Sequence, residues 1–203
     1  MAGSKMTNAE RITKLLEMIS GLDEAGMKDF TSSFIPHLTL VSADDFETAA
    51  NHHHPPRIVF GYTVQPEHCN RMNNMHGGAT ATLFDFCTSL AMALAPSSPR
   101  EATTPQTDAA GNVADDDSSD DDEEDIIKSW RRLGVSRTLA VTYVRPAPND
   151  AQVLIECEQV HAGKRLSSLR GVMRRAKDGA VLATCEHGKV ILDLADVPVP
   201  SKM

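Results

Sequence analysis

The residues with the clearest chemical potential lie in one stretch, residues 70–85, which reads NRMNNMHGGATATLFD. His76-Gly77-Gly78 directly precedes an apolar run with helical spacing, so this tripeptide should open a helix. The first turn of a helix has backbone N–H groups without partners and a positive dipole, and glycine lets a ligand approach closely. Such a place suits an anion, or a carbonyl oxygen that becomes negative during a reaction. From the residues alone, the alternative is that two glycines only permit a tight turn.

Three further polar residues accompany this helix start. Asp85 is the only charged residue of the predicted helix 76–95. An ionised carboxylate on an apolar helix is costly unless it is paired, so it has either a functional role or a structural hydrogen-bond partner. Asn70, in the loop before the helix, could orient a carbonyl or a water, or could be an ordinary loop residue. Ser136 opens a later strand without a GxSxG elbow, so it is not predicted to be a hydrolase-type nucleophile.

Metal and disulfide chemistry have little support in the sequence. His68 and His76 are eight residues apart, but no third ligand has suitable spacing, so no metal site is predicted. The four cysteines form no CxxC pair. Each lies among apolar residues, and we expect reduced cysteines that act as small hydrophobic side chains.

The elements that must position these residues follow from the apolar pattern. One helix, apolar nearly all round, should be buried. The alternating segments predict five strands, at residues 57–64, 136–144, 152–160, 166–175 and 180–192. Short connections favour an antiparallel meander of the last four strands. The predicted fold class is α+β, with an antiparallel sheet wrapped around one long buried helix.

The remaining segments divide the chain into parts. Residues 1–56 are expected to form an N-terminal helix, over residues 8–20, followed by an irregular lead-in. The main domain should span residues 57–192, with an insertion at residues 96–130 and a C-terminal tail at residues 193–203. The insertion is rich in Ser, Pro, Thr and acids, so it should be disordered because it cannot offset its ordering entropy.

Composition restricts the classes of partner. The chain has 28 acidic and 20 basic residues and a net charge of −8, but nine acids lie between Asp115 and Asp125, and removing them leaves +1. Aromatic residues make up 4%, which argues against a stacking platform for nucleic acid. No apolar run is long enough to span a membrane, and the N-terminus lacks the features of a signal peptide. We expect a cytoplasmic protein, and a weak amphipathic N-terminal pattern leaves a mitochondrial location open.

Three stretches together resemble a known family. The family is that of the small hotdog-fold acyl-CoA thioesterases of the PaaI-like and thioesterase-superfamily-member group. The stretches similar to it are residues 70–85, GVSRTLAVTYVRPAP at residues 134–148, and HAGKRL at residues 161–166. The resemblance covers residues 57–95 and 131–192. It implies the hotdog fold, in which an antiparallel sheet wraps around one long helix.

The resemblance also implies roles for individual residues. Asn70 and the backbone N–H of Gly77 would polarise a thioester carbonyl. Asp85 would act as general base or nucleophile, and Ser136 would help to position the water. His76 would shape the helix entrance near the carbonyl. In this family the site straddles a dimer interface, with Asn70, His76 and Gly77 from one subunit and Asp85 and Ser136 from the other.

The expected function is therefore hydrolysis of acyl-CoA to a free acid and CoA, an activity of lipid metabolism. No cofactor and no metal are expected, since CoA is part of the substrate, and the protein should be a homodimer or a homotetramer. CoA is strongly anionic and needs a basic surface. The residues expected to bind substrate or CoA are Gly78, Tyr143, Arg145, Pro146, His161, Gly163, Lys164 and Arg165. The alternatives are a hotdog hydratase of enoyl or hydroxyacyl thioesters and a non-catalytic acyl-CoA-binding protein.

Overall fold

The structure, a computed structural model, describes residues 6–44, 50, 54–94 and 118–191. The principal helices are α1, Asn8–Glu24; α2, Gly77–Ala91; and α3, Ser118–Arg132. The strands are β1, Leu38–Ala43; β2, Arg57–Thr63; β3, Val135–Tyr143; β4, Gln152–Ala162; β5, Leu166–Arg175; and β6, Val181–Val190.

The six strands form one sheet in the order β1-β2-β4-β5-β6-β3, and neighbouring strands are antiparallel. The predicted α+β class is confirmed, but the predicted meander of the last four strands is wrong, because β3 pairs with β6 at the edge and not with β4. The connection after β3 forms its backbone hydrogen bonds with the loop before α2. Ala147 accepts from Met75 N–H, and Asn149 N–H donates to Asn73, so this segment binds the loop before α2 and cannot form a tight hairpin.

Helix α2 is the centre of the hydrophobic core, as its apolar sequence predicts. Leu83, Phe84, Cys87 and Leu90 are buried between the helix and the inner face of the sheet. The contact with β5 is especially close at Gly171, where an added Cβ would lie 2.7 Å from the Phe84 ring. A glycine at this position therefore sets how near the helix comes to the sheet.

The N-terminal region is more regular than the sequence indicated. Helix α1 confirms the predicted helix. Its N-cap is Thr7, which forms a capping box with Glu10. Helix α1 buries Ile12 and Leu15. Strand β1 lies inside the predicted irregular lead-in, so that prediction is wrong for residues 38–43, and the sheet begins before residue 57. The division into an N-terminal part and a main domain stays a prediction.

The predicted disorder of the insertion is wrong where α3 lies. The sequence places acids in the first half of this helix and Arg131 and Arg132 in its last turn, which complements the helix dipole. Ile126 and Ser129 are buried, and Trp130 packs against the core. Burial of this face provides the stabilisation that composition alone did not reveal. Residues 95–117 and the predicted tail, residues 193–203, lie outside the described residues.

Three further features concern cysteines, membranes and metals. All four cysteines are free thiols, and burial raises the pKa of Cys87 and Cys157 well above the usual range and that of Cys185 to about 12. Within the described ranges, none of the helices has both the length and the apolar character needed to cross a lipid bilayer. The same residues contain no cluster of three or more metal-ligating side chains.

Candidate active site

The N-terminus of α2 is held by His76. This residue is the N-cap, and its Nδ1 accepts a hydrogen bond of 3.0 Å from the Gly78 N–H. An accepting Nδ1 carries no proton, so the neutral imidazole carries its proton on Nε2. The N–H of Gly77 belongs to the first turn and has no acceptor inside the helix. This donor is therefore available to a ligand.

Tyr143, at the end of β3, closes over this helix start. Its hydroxyl donates a 2.8 Å hydrogen bond to the Gly77 carbonyl, and an added Cβ at Gly77 would lie 3.3 Å from the phenol ring. More than half of the Tyr143 side chain is nevertheless exposed, at 55%. The tyrosine thus fixes the glycine backbone from one side and leaves the other side open.

The loop before α2 orients the side-chain amide of Asn70. Asn70 Oδ1 accepts hydrogen bonds from the backbone N–H groups of Met72 at 2.9 Å and Asn74 at 3.3 Å. Asn73, between them, adopts a left-handed φ of 54°, which asparagine tolerates better than most residues. Because the side-chain oxygen of Asn70 accepts hydrogen bonds from the loop backbone, the NH2 group of this exposed residue can donate to a ligand.

A buried polar cluster supports this loop, and the sequence did not reveal it. His68 lies 2.5 Å from the Tyr62 hydroxyl through Nδ1 and 2.9 Å from Ser33 Oγ through Nε2, and its ring stacks on Phe34. Its carbonyl accepts from the His76 N–H. Burial lowers the pKa of His68 and raises that of Tyr62, so both stay uncharged near neutral pH. No local sequence pattern links these four side chains, which come from separate segments.

The second half of the site surrounds Asp85. The Ser136 hydroxyl, on β3, donates a 2.6 Å hydrogen bond to Asp85 Oδ1. His187, on β6, places Nε2 3.3 Å from the same oxygen, which is a close approach without good hydrogen-bond alignment. The Asp85 side chain is 45% exposed. Both neighbours approach Oδ1, so Oδ2 is the oxygen left for another group.

His187 is the chief site residue that sequence reasoning missed. Its Nδ1 lies 2.6 Å from Thr88 Oγ1, which also lies 2.5 Å from the Phe84 carbonyl. Burial, and secondarily the charge of Lys189, lower the pKa of His187 to about 4, against the opposing effect of Asp85. The imidazole is therefore neutral near pH 7. Because the Thr88 hydroxyl donates its hydrogen to the Phe84 carbonyl, it accepts from Nδ1–H of the neutral ring, and Nε2 has no hydrogen-bond partner.

The two halves of the site are separated along α2. Gly77 and Asp85 are eight residues apart, which corresponds to about 12 Å along the helix axis. The structure brings Gly77 together with Tyr143, and Asp85 together with Ser136. It does not bring these two pairs to one point within a single chain.

The candidate CoA-binding residues likewise lie at opposite ends of the sheet. Arg145 lies two residues after Tyr143 and donates to the Val181 carbonyl at 2.8 Å. Pro146 comes next, in the segment that binds the loop before α2. His161 lies near the end of β4, with its ring beside Gly163, and the β4–β5 connection that follows carries the exposed Lys164 and Arg165. That connection lies near the start of β3, since Leu166 and Val135 both pair with Val190.

An antiparallel sheet packed against one buried central helix is the architecture of the hotdog class of proteins. The family model of the thioesterase superfamily matches residues 72–182, more than half of the chain. The chain belongs to this superfamily, and the resemblance seen in the sequence is confirmed.

Solved structures agree on the fold. Thioesterase superfamily member 2 of Mus musculus is 20% identical, with a TM-score of 0.58 over 93% of this chain and 99% of that chain. The PaaI protein of E. coli is 12% identical, with a TM-score of 0.50 over 90% and 97%. A hypothetical thioesterase of Streptococcus pneumoniae, determined with coenzyme A, is 15% identical, with a TM-score of 0.52 over 84% and 96%. No curated protein matches the chain significantly.

Proposed function

We propose that this chain is an acyl-CoA thioesterase in which Asp85 activates a water and the N-terminus of α2 polarises the thioester carbonyl. The observation that carries this proposal is the arrangement around Asp85. Ser136 donates to Oδ1 and His187 lies beside the same oxygen, which leaves Oδ2 to accept a proton from a reactant. An oriented, half-exposed carboxylate beside a serine hydroxyl is suited to general-base catalysis.

The oxyanion would form at the other half of the site. The Gly77 N–H and the Asn70 NH2 group are the donors. The Gly77 N–H lies in the first helical turn, and the loop uses only the side-chain oxygen of Asn70. Water attacks the carbonyl carbon as its proton moves to Asp85 Oδ2, and the carbonyl oxygen becomes negative between the two donors. Collapse of this intermediate breaks the C–S bond, and the leaving CoA thiolate takes up the proton held by Asp85, which restores the carboxylate. This scheme requires neither a metal nor a redox cofactor.

Two copies of the chain are needed to assemble one such site. A reacting carbon must lie about 3 Å from both the nucleophile and the oxyanion donors, whereas Gly77 and Asp85 of one chain are separated by about 12 Å along α2. Strand β3 is an edge of the sheet, and Val135 and Tyr143 on it are about half exposed. Antiparallel pairing of β3 with β3 of a second copy would cover this edge and bring Ser136 and Asp85 of that copy towards Gly77.

The same pairing would gather the basic groups for CoA. Within one chain, Arg145 and the pair Lys164-Arg165 lie at opposite ends of the sheet. A two-fold axis through the middle of β3 would bring Arg145 of one copy near the β4–β5 connection of the other. A joint basic surface of this kind suits the phosphates of CoA. The shared fold of the Streptococcus pneumoniae thioesterase determined with coenzyme A supports a CoA ester as ligand. Whether two such dimers associate further, and whether the protein is cytoplasmic, stay predictions.

The experiment that tests this function is a panel of acyl-CoA substrates of increasing chain length, with thiol release and enoyl absorbance recorded together. We expect thiol release with at least one member of the panel. Loss of enoyl absorbance without thiol release would instead indicate a hydratase. Tight binding of acyl-CoA without any product would indicate a binding protein, and either result would overturn the proposal.

A further inference from the structure

The two proposed oxyanion donors, Asn70 and the Gly77 N–H, belong to a loop that closes at His68. The His68 carbonyl accepts a 2.8 Å hydrogen bond from the His76 N–H, directly before Gly77. His68 is also two residues before Asn70, whose N–H donates 2.7 Å to the Asn74 carbonyl inside the loop. The position of His68 therefore determines where both donors lie.

The His68 side chain is held by three separate contacts. Its Nδ1 lies 2.5 Å from the Tyr62 hydroxyl, and its Nε2 lies 2.9 Å from Ser33 Oγ. The ring stacks on Phe34, with centroids 3.8 Å apart and planes 5° apart. His68 is 8% exposed. A rotation of this ring would break at least one hydrogen bond or the stack, so the ring and the backbone behind it are fixed.

The direction of the two hydrogen bonds follows from the groups available. If the Tyr62 hydroxyl donates to Nδ1, the neutral ring carries its proton on Nε2 and donates to Ser33 Oγ. In the opposite arrangement the Tyr62 hydrogen would lack an acceptor among the described residues, although Tyr62 is only 3% exposed. The first arrangement satisfies both nitrogens of the ring. A buried polar network that is fully satisfied makes its surroundings rigid.

Two of the three contacts come from the segment before β1, which is itself anchored. Ser33 and Phe34 lie in this segment, where the Phe34 N–H donates 2.8 Å to the Thr31 carbonyl. The neighbouring Ser32 hydroxyl donates 2.6 Å to Asp23 Oδ1, near the end of α1. The support of the loop is thus attached to the N-terminal helix, far in sequence from the donors.

We infer that His68 is a positioning residue of the oxyanion half of the site, which fixes Asn70 and Gly77 relative to each other and makes residues 31–34 part of the support of the active site. Donors stabilise a developing oxyanion efficiently when they are already in place, because no reorganisation is then needed during the reaction. This inference rests on the proposed function, since that function assigns the two donors.

Hydrogen exchange in His68→Phe tests the positioning without any substrate. The new ring can still stack on Phe34, but both side-chain hydrogen bonds are lost. The N–H groups of His76 and Asn70 should exchange about tenfold faster relative to the amides of β5, as expected for the loss of hydrogen bonds. The control is Ile58→Val, a buried position near the other end of β2 from Tyr62, and it should leave this ratio unchanged. An unchanged ratio in folded His68→Phe would overturn the inference, because His68 would then support only the stability of the whole fold.

The kinetic constants provide the second readout. In His68→Phe, kcat for thiol release should fall about tenfold with little change in KM. Complete removal of one oxyanion donor costs more, about 10²–10³-fold. Tyr62→Phe, which loses only the hydrogen bond to Nδ1, should lower kcat less and should have no further effect in the His68→Phe background. A raised KM with unchanged kcat in either folded variant would contradict the inference, because it would indicate a role in binding alone.

The two readouts separate this inference from the proposed function. If the wild type hydrolyses no acyl-CoA, the proposed function fails, and hydrogen exchange still decides whether His68 holds the loop. Tyr62→Phe serves in the exchange measurement if His68→Phe does not fold. It should accelerate the same two amides, and an unchanged ratio would overturn the inference in the same way.

Discussion

A site shared between two copies predicts that two inactive variants restore activity when mixed. Asn70→Asp retains the oxygen that accepts from Met72 and Asn74 N–H but loses the NH2 donor. Asp85→Asn retains the shape of the carboxylate but cannot act as a base. Each variant alone should release thiol at a small fraction of the wild-type rate, because each of its sites lacks one component.

The expected recovery follows from the separation of the two halves along α2. In a mixed dimer, one site combines Asn70 of the first copy with Asp85 of the second and is intact, whereas the other carries both substitutions. Equal mixing with random exchange gives about half mixed dimers, so about one quarter of the wild-type activity should return. Mixed dimers purified with two different tags should show about one half.

The assay is thiol release after subunit exchange, with Asn70→Asp mixed with the Asn70→Asp/Asp85→Asn double variant as the control. The control has no intact site in either arrangement and should stay at background. If each site were built within one chain, every site of the mixed dimers would carry one substitution and no activity would return. Absence of recovery in dimers shown to be mixed would refute the two-copy site.

Three other predictions concern stability and protonation. Gly171→Ala should destabilise the fold by about 1–3 kcal/mol in urea unfolding, because the new Cβ would meet Phe84, and an unchanged midpoint would mean that the close packing is not a constraint. His76→Ala should cost about 1 kcal/mol through loss of the cap on Gly78, whereas His76→Asn, which can still accept that hydrogen bond, should cost less. Because the pKa of His187 is lowered in the folded protein, the unfolded chain binds a proton on this residue at a higher pH than the folded chain does. The free energy of unfolding should therefore fall by about 3 kcal/mol as the pH decreases from 6.5 to about 4. His187→Gln should flatten this slope.

The sequence predicted those features that are local. The apolar run of α2 predicted the buried helix, the single charge at Asp85 marked the polar point on it, and alternation predicted the strands from β2 to β6. The two glycines at the start of the helix, Gly77 and Gly78, predicted its open N-terminus. Each of these inferences depends on residues a few positions apart, where spacing determines which side chains share a face.

The features that were missed depend on contacts between distant residues. His187 is about one hundred positions from Thr88, its hydrogen-bond partner. The two residues meet only because β6 packs against α2. The short connection after β3 predicted that β3 pairs with β4. The backbone of this connection instead forms hydrogen bonds with the loop before α2. Helix α3 was judged by its acidic composition, although Ile126 and Trp130 have the spacing of one helix face.

The most direct measurement is the rate of thiol release by Asp85→Asn against the wild type, on the acyl-CoA that the wild type hydrolyses fastest. The matched control is Asp178→Asn, which alters a carboxylate in the β5–β6 turn that contacts Arg175. We predict a loss of about 10²–10⁴-fold for Asp85→Asn, the usual contribution of a general base, and no loss for the control. Undiminished turnover in folded Asp85→Asn would contradict the proposed role of this carboxylate.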